Sequence, residues 1–434
     1  MDARTQGEQR AVVVDVAVPA PVAVADEDHP ATATTRATTT TFRGYRGITI
    51  SYLRLTAGAY PSEPLPMPAF VGTIHLIFVG LLAAGAGPGT GKNIAAELER
   101  GEKLFQSGDL AGALQAFDNA AKADAKDARP VYLRGVVLEK KNDTVGAEKA
   151  YREAIARDGK FAPARNNLGA ILLGRNDLPA AEKELVAASA SDPKNASAAF
   201  NLGLLREAMK QPREAAAAYR KSLQSKPNDG VCHANLCSVL RKLADLDGAI
   251  AECRQAVRLL PESATVLTNL GLLLSDKKQF DEAREELHKA TQIDAKFAPA
   301  WTGLGRVELR RKQAAAAVDA LVKAAKLEPK DPGIAADYCR ALVEKDLRGK
   351  ATEEECRKAT GLDPQNALAH YELAKVLVGR GDCSGAKAEQ GKLAALPNVG
   401  AQAKAQADEI VKTCVQGKAV KPTGEGKGGK AGKK

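Results

Sequence analysis

The sequence predicts an all-α fold built as a solenoid, and three observations carry that reading. Asn167, Asn201, Asn235 and Asn269 recur at equal intervals, each followed by Leu and then a small residue (Gly169, Gly203, Cys237, Gly271). A fixed period of this kind marks stacked supersecondary units, none of which can bury its apolar face alone. Only 4% of the 434 residues are aromatic and Ala supplies much of the apolar fraction, which suits closely packed helices better than sheet. Turn residues also mark the chain in the same register, at Gly108, Asn142-Asp143, Asn176-Asp177 and Gly381-Asp382. A chain of this length ordinarily divides into two or three globular domains. A solenoid avoids the division because its core grows along one axis.

Extending the period in both directions places unit starts at Ile94, Ala128, Ala162, Ala196, Gly230, Ala264, Ala298, Pro332 and Ala367. Position 8 of these units reads Gly101, Gly135, Gly169, Gly203, Cys237, Gly271, Gly305, Cys339 and Ala374. Position 20 is Ala in most units, as at Ala113, Ala147 and Ala181, and position 24 holds Phe117, Tyr151, Leu185, Tyr219, Cys253, Leu287 and Leu321. Pro193, Pro227, Pro261, Pro329 and Pro364 fill position 32, and Trp301, the sole Trp, sits at position 4. Small residues let two antiparallel helices approach closely, larger ones fill the space between turns, and Pro ends the second helix for want of an amide donor. The eighth unit is one residue longer, with the insertion near Gly349.

This pattern resembles the tetratricopeptide-repeat family over about three quarters of the chain. The resemblance implies a right-handed α-solenoid of about nine helix-turn-helix units, with a polar-faced helix over 401–415 as the C-terminal cap. It also implies that position 6 of each unit faces a concave groove, and Asn167, Asn201, Asn235 and Asn269 all occupy position 6. The row is similar to the asparagine ladder of the O-linked N-acetylglucosamine transferase family, whose amides grip an extended peptide. An amide carries both donor and acceptor and can pair with a peptide unit whatever its side chain. At about 1 kcal/mol net per hydrogen bond, four bidentate contacts supply roughly 8 kcal/mol, within the range of about 4–15 kcal/mol that association costs. The row would therefore set register while neighbouring side chains supply specificity. The alternative is a set of soluble residues with local hydrogen bonds. The row stops at Leu133 and Gly303, beyond which Arg306, Arg310 and Arg340 turn the groove positions basic. These either meet an acidic partner segment or are solvated charges. The pattern of repeats that bind chaperone tails, with Lys at position 5, is missing from the Asn-bearing units.

The domain boundaries follow from composition. Residues 1–66 show no helical period and carry a Thr run, which reads as disorder or as a mis-assigned start preceding translation from Met67. Residues 67–92 hold an apolar run over 69–86 that ends Ala84-Gly85-Ala86, as secretory signal peptides do, and then a Gly-rich linker. A membrane anchor is the second reading of this run, since its length barely spans a bilayer core. A cytosolic segment is the third. The repeat array covers 93–400, the capping helix 401–417 and a disordered basic tail 418–434.

The net charge of +10 gives no evidence for nucleic-acid binding. Residues 1–92 carry seven Lys/Arg and seven Asp/Glu, and half of the excess sits in the Gly/Lys tail. Gly87 to Asn93 resembles a phosphate-binding loop, but Ala86 and Asn93 stand where its first Gly and its Ser/Thr belong, so we read a linker. His29, His75, His233, His288 and His370 are scattered, with none paired to a carboxylate at motif spacing. No zinc or catalytic-thiol spacing occurs, so no cofactor is expected and no enzymatic activity.

Of the seven cysteines, Cys237 and Cys253 occupy positions 8 and 24 of the fifth unit, and Cys339 and Cys356 the same positions of the eighth. In the repeat register this suggests two disulfides within units. Cys383 and Cys414 are a third candidate pair, joining the last repeat to its cap and leaving Cys232 free. Buried thiols in the helix seam are the alternative. Disulfides would favour an oxidising compartment. The expected function is a periplasmic or exported scaffold that holds peptide or protein partners during assembly of an envelope complex of secretion, pilus or motility type. A cytosolic adaptor or co-chaperone-like protein is the alternative.

Overall fold

The computed structural model describes residues 41–44, 48–51, 91–397 and 399–416. The apolar run at 69–86 and the basic tail lie outside the described residues. Two strands, β1 (Thr41–Gly44) and β2 (Ile48–Ser51), pair antiparallel with Phe42 opposite Ile50. Both lie within residues 1–66, whose other residues lie outside the described ones. Thr41, Phe42, Ile48, Thr49 and Ile50 are β-formers, and a short antiparallel ladder is what their propensity favours.

Helix pairs make up the rest. They are α1 (Gly91–Ser107) with α2 (Leu110–Ala123), α3 (Ala128–Lys140) with α4 (Thr144–Arg157), and α5 (Ala162–Gly174) with α6 (Leu178–Ser191). Next come α7 (Ala196–Ala208) with α8 (Pro212–Ser225), α9 (Gly230–Lys242) with α10 (Leu246–Leu259), and α11 (Ala264–Asp276) with α12 (Phe280–Ile293). Then follow α13 (Ala298–Arg310), α14 (Ala314–Leu327), α15 (Pro332–Lys345), α16 (Lys350–Leu362), α17 (Ala367–Gly379), α18 (Cys383–Ala395) and the cap α19 (Ala401–Val415). From α3 onward the first helix of every pair begins where the period starts a unit. The exception is α1, which runs back from Ile94 to Gly91 and takes in the end of the linker, since no Pro stands between them to stop it.

Local chemistry explains these boundaries. Asp109, Asp143, Asp177, Asp245 and Asp382 each cap the second helix of their unit, accepting from the backbone N–H three residues on. One residue earlier, position 15 adopts positive φ: Gly108, Asn142, Asn176, Lys210, Ala244, Lys278, Lys312 and Gly381 lie between 57° and 87°. The eighth unit, with its extra residue, is absent from this series. Its turn is capped instead by Thr352 donating to the Asp346 carbonyl at 3.0 Å.

Within a pair, position 8 meets position 24. A β-carbon on Gly101 would strike the Phe117 ring, one on Gly135 would lie 2.5 Å from Tyr151, and one on Gly203 would strike the Tyr219 ring. In the fifth and eighth units the same contact is a disulfide, Cys237–Cys253 and Cys339–Cys356, with Cα atoms 5.3 and 4.8 Å apart. A third, Cys383–Cys414, ties α18 to α19 across 5.6 Å. Cys232 is free and buried, and burial pushes its thiol up to about 12.

Between consecutive units a second device recurs at position 4, where a donor reaches back to the carbonyl six residues earlier. Arg165 donates to Gly159 at 2.9 Å, His233 to Pro227 at 2.9 Å, Trp301 to Ala295 at 3.0 Å and His370 to Pro364 at 3.0 Å. The same Arg and His side chains also meet a carboxylate at position 23: Arg165 with Glu184, His233 with Glu252 and His370 with Glu389. These pairs are nineteen residues apart, outside the motif spacing read from the sequence. His233 and His370 stand in register, each on the leading helix of a pair whose second helix carries the carboxylate. A contact that joins two helices of one pair matches no single-helix motif.

The array divides into two compact units that part within α13, one ending at Val307 and the other beginning at Glu308. In the first, Phe117, Tyr132, Tyr151, Leu168, Leu185 and Leu205 are fully buried in one continuous core. In the second, Leu373, Val376 and Leu377 form a core against which Ile410 and Val411 of the cap pack. Within each, successive helix pairs stack as in an α-solenoid. Among the described residues no helix is long and apolar enough to cross a membrane.

Candidate functional site

In the first unit the leading helices of successive repeats lie side by side, α5 next to α7 and α9 next to α11. Position 6 of these helices holds Asn167, Asn201, Asn235 and Asn269, and Asn201 of α7 reaches across to Asn166 of α5. The four are not equivalent. Asn235 and Asn269 are buried at 6% exposure, whereas Asn167 and Asn201 are half-buried.

Their partners differ too. Asn167 donates through Nδ2 to the Tyr151 hydroxyl at 3.1 Å and accepts from Asn166 at 3.1 Å. Asn201 donates to Asn166 Oδ1 at 2.9 Å. The Asn235 amide lies beside the Tyr219 hydroxyl, and its Nδ2 is buried with no partner at hydrogen-bond distance among the described residues. Both tyrosines donate to a carboxylate on the first helix of their own pair, Tyr151 to Glu139 and Tyr219 to Glu207, the latter at 2.7 Å. Burial, with the adjacent carboxylate, pushes both phenols well above the usual tyrosine range. Burial likewise raises the Glu139 carboxyl, although the Tyr151 hydroxyl opposes it.

Around the row, the walls are mixed. Tyr132 packs on Tyr151 with ring centroids 5.7 Å apart, and Phe200 on Tyr219 at 5.6 Å. Lys242 pairs with Glu207 at 3.3 Å and Arg241 with Asp276 at 3.2 Å, so these charges are already balanced across repeats. Beyond the row, Arg306 and Arg310 lie on α13 and are both engaged within the chain. Arg340 pairs with Glu344 at 3.2 Å. These cations are therefore only partly available to an acidic segment.

In the second unit position 6 changes chemistry. It holds Asp337 and Glu372, buried at 8% and 3%. Burial raises the Glu372 carboxyl, against the pull of Lys375, which sits 2.8 Å from it and over the Tyr371 ring. An amide row and a carboxylate row thus occupy the same repeat position in the two units. Sequence reasoning missed Asn166, Tyr151 and Glu139 as members of the site. The Asn166-Asn167 doublet and the recurrence of Glu at position 12 with Tyr at position 24 in the second and fourth repeats were the available signals.

Residues 98–163 and 166–230 match one tetratricopeptide-repeat family model, and residues 240–307 match another. The chain is a tetratricopeptide-repeat protein, and the repeats mark it as a protein-interaction scaffold. No curated protein matches the sequence. Among solved structures it is similar to YrrB, described as a tetratricopeptide-repeat protein with an unusual peptide-binding site, at 23% identity over 43% of this chain and 96% of that one, with a TM-score of 0.40. It is also similar to a tetratricopeptide-repeat protein from Parabacteroides merdae, at 13% identity over 58% and 100% with a TM-score of 0.40. The Cut9–Hcn1 hetero-tetramer of APC/C matches at 15% identity over 76% and 77%, with a TM-score of 0.47.

Proposed function

We propose that the chain is a non-enzymatic scaffold whose amide row binds an extended segment of a partner protein, in an exported compartment where it supports assembly of an envelope complex. The observation that carries the binding reading is the row itself: side-chain amides at one repeat position of successive leading helices. An extended peptide presents alternating N–H and C=O groups, and a line of amides spaced by the repeat can pair with them without selecting a side chain. The three disulfides support an oxidising compartment. The apolar run ending Ala84-Gly85-Ala86 supports export. An envelope complex of secretion, pilus or motility type is the setting these features favour.

The test is selection of peptides from a random display library on the full chain, followed by binding of the enriched peptides to Asn201→Ala. Asn201 is the residue to change because its side chain is half-buried, where Asn235 and Asn269 are buried, so the fold should survive its loss. Enriched peptides should lose most of their affinity for the variant. Equal affinity for both chains would end the peptide reading. For the compartment, mass spectrometry of the native protein should find a mature terminus after residue 86 and six cysteines oxidised. A terminus before Met67 with reduced cysteines would favour the cytosolic adaptor.

A further inference from the structure

One carboxylate determines how a run of side chains points. Glu139, near the end of α3, accepts the Tyr151 hydroxyl proton. A carboxylate only accepts, so the Tyr151 oxygen is left with lone pairs, and Asn167 must present Nδ2 to it. That choice turns Asn167 Oδ1 toward Asn166, which must then present its own Nδ2. Asn166 Oδ1 in turn accepts from Asn201 Nδ2, crossing from α5 to α7. Reversing any one amide would set donor against donor or acceptor against acceptor, leaving partly buried polar groups unpaired. The run ends at Asn201 Oδ1, which has no partner among the described residues and is not among the atoms sealed from solvent.

The fourth repeat starts the same run and stops. Tyr219 donates to Glu207 and Asn235 lies beside it, but position 5 of the fifth repeat is Ala234 where the third repeat has Asn166. No amide is available to pass the orientation on to Asn269. Only Asn201 therefore receives a fixed polarity from a chain of neighbours.

We propose that Glu139, Tyr151, Asn167 and Asn166 are positioning residues that hold Asn201 with its carbonyl oxygen toward the partner, so that this point of the groove takes one N–H from an extended peptide backbone. The inference rests on the peptide-binding reading above and adds a polarity to it: a donor is accepted here and an acceptor is refused. Hydrogen bonds aligned head to tail polarise one another, so the terminal oxygen is a stronger acceptor than an isolated amide. A binding segment is thereby registered by one N–H.

The first test uses the free protein. Tyr151→Phe removes the hydroxyl and keeps the ring that fills the space against Gly135. Glu139→Gln keeps the size and removes the group that sets direction. With the Asn side chains labelled with nitrogen-15, the Asn166, Asn167 and Asn201 amide signals should shift together in both variants, while those of Asn235 and Asn269 stay. An Asn201 signal unmoved by Tyr151→Phe overturns the relay.

The second test uses a library-selected peptide, N-methylated one residue at a time. On the wild-type chain one methylation should weaken binding about tenfold, and on Asn201→Ala that methylation should cost nothing further. Tyr151→Phe and Glu139→Gln should each weaken binding roughly fivefold, with melting points within a few degrees of wild type. If Asn201→Ala binds as well as wild type, the groove reading fails. If Asn201→Ala loses binding and neither relay variant does, the groove reading stands and the relay is overturned.

Discussion

The second and fourth repeats close their helix pairs with a glycine pressed against a tyrosine ring, while the fifth and eighth close the same seam with a disulfide. The two solutions share one geometric cause. Positions 8 and 24 bring their backbones within the 5.3 and 4.8 Å measured between the bonded cysteine α-carbons. At that distance two large side chains cannot both fit. One large residue against Gly fills the gap, and two small residues leave their ends in contact, which for Cys means sulfur on sulfur. The difference lies in what holds each pair: packing alone in one case, and packing with a covalent tie that depends on redox conditions in the other.

The largest effect that tests this contrast should come from emptying a packed seam. Tyr219→Ala leaves a cavity against Gly203 and removes the bond to Glu207. We expect a loss of about 3–5 kcal/mol in denaturant unfolding. A loss under about 1 kcal/mol would mean that the ring does not close the seam.

Reduction should act on the other class. The bonded cysteines of the fifth and eighth repeats are 16 and 17 residues apart. Loops of that size contribute about 3 kcal/mol each in the chain-entropy account. Under reductant, amide exchange should rise in α9, α10, α15 and α16 and stay slow in α3, α4, α7 and α8. Uniform loosening would erase the distinction between the two seams.

A smaller effect tests the position-4 contacts. Burial opposes ionisation of Glu389, but Lys392 and His370 hold its carboxyl below the usual 4.5. A depressed folded value means stability that is present above 4.5 and lost as pH falls through the folded value. Glu389→Gln should therefore cost about 1–3 kcal/mol at pH 7 by stranding His370, with the gap from wild type closing as pH falls below 4.5 through the depressed folded value. A gap independent of pH would show that the pair acts through packing alone.

The smallest effect concerns the turns. Lys278 sits at φ 63°, where a side chain costs roughly 1–2 kcal/mol that Gly avoids. Lys278→Gly should raise stability by under about 1 kcal/mol, the greater freedom of the unfolded chain offsetting part of the gain. The same change at Gln279, outside the left-handed region, should destabilise, and melting curves of the two variants would separate them.

Much of this architecture was legible in the sequence because it is local or periodic. Asp before five of the second helices, Gly or Asn at several turns, and Pro at position 32 are signals within a few residues of the structure they produce. The Gly101–Phe117, Gly135–Tyr151 and Gly203–Tyr219 contacts share one short separation inside a single repeat and could be read once the period was known. The position-4 contacts were equally periodic but chemically disguised, because Arg165, His233, Trp301 and His370 share only an N–H donor. The site was half legible. Position 6 of the row followed from the register, whereas the division of labour among its members did not.

By itself the sequence determined the repeat length, the pairing of small with large residues across each seam, and the line of asparagines on one face. These follow from backbone geometry and volume, which a periodic string encodes directly. Only the tertiary structure decided which end of each amide is spent. Asn166 meets Asn201 from the next repeat, and Glu139 sets the direction of both through Tyr151. An amide has a donor and an acceptor end of nearly equal shape. Its orientation is a property of its neighbours in space, and no spacing along the chain records it.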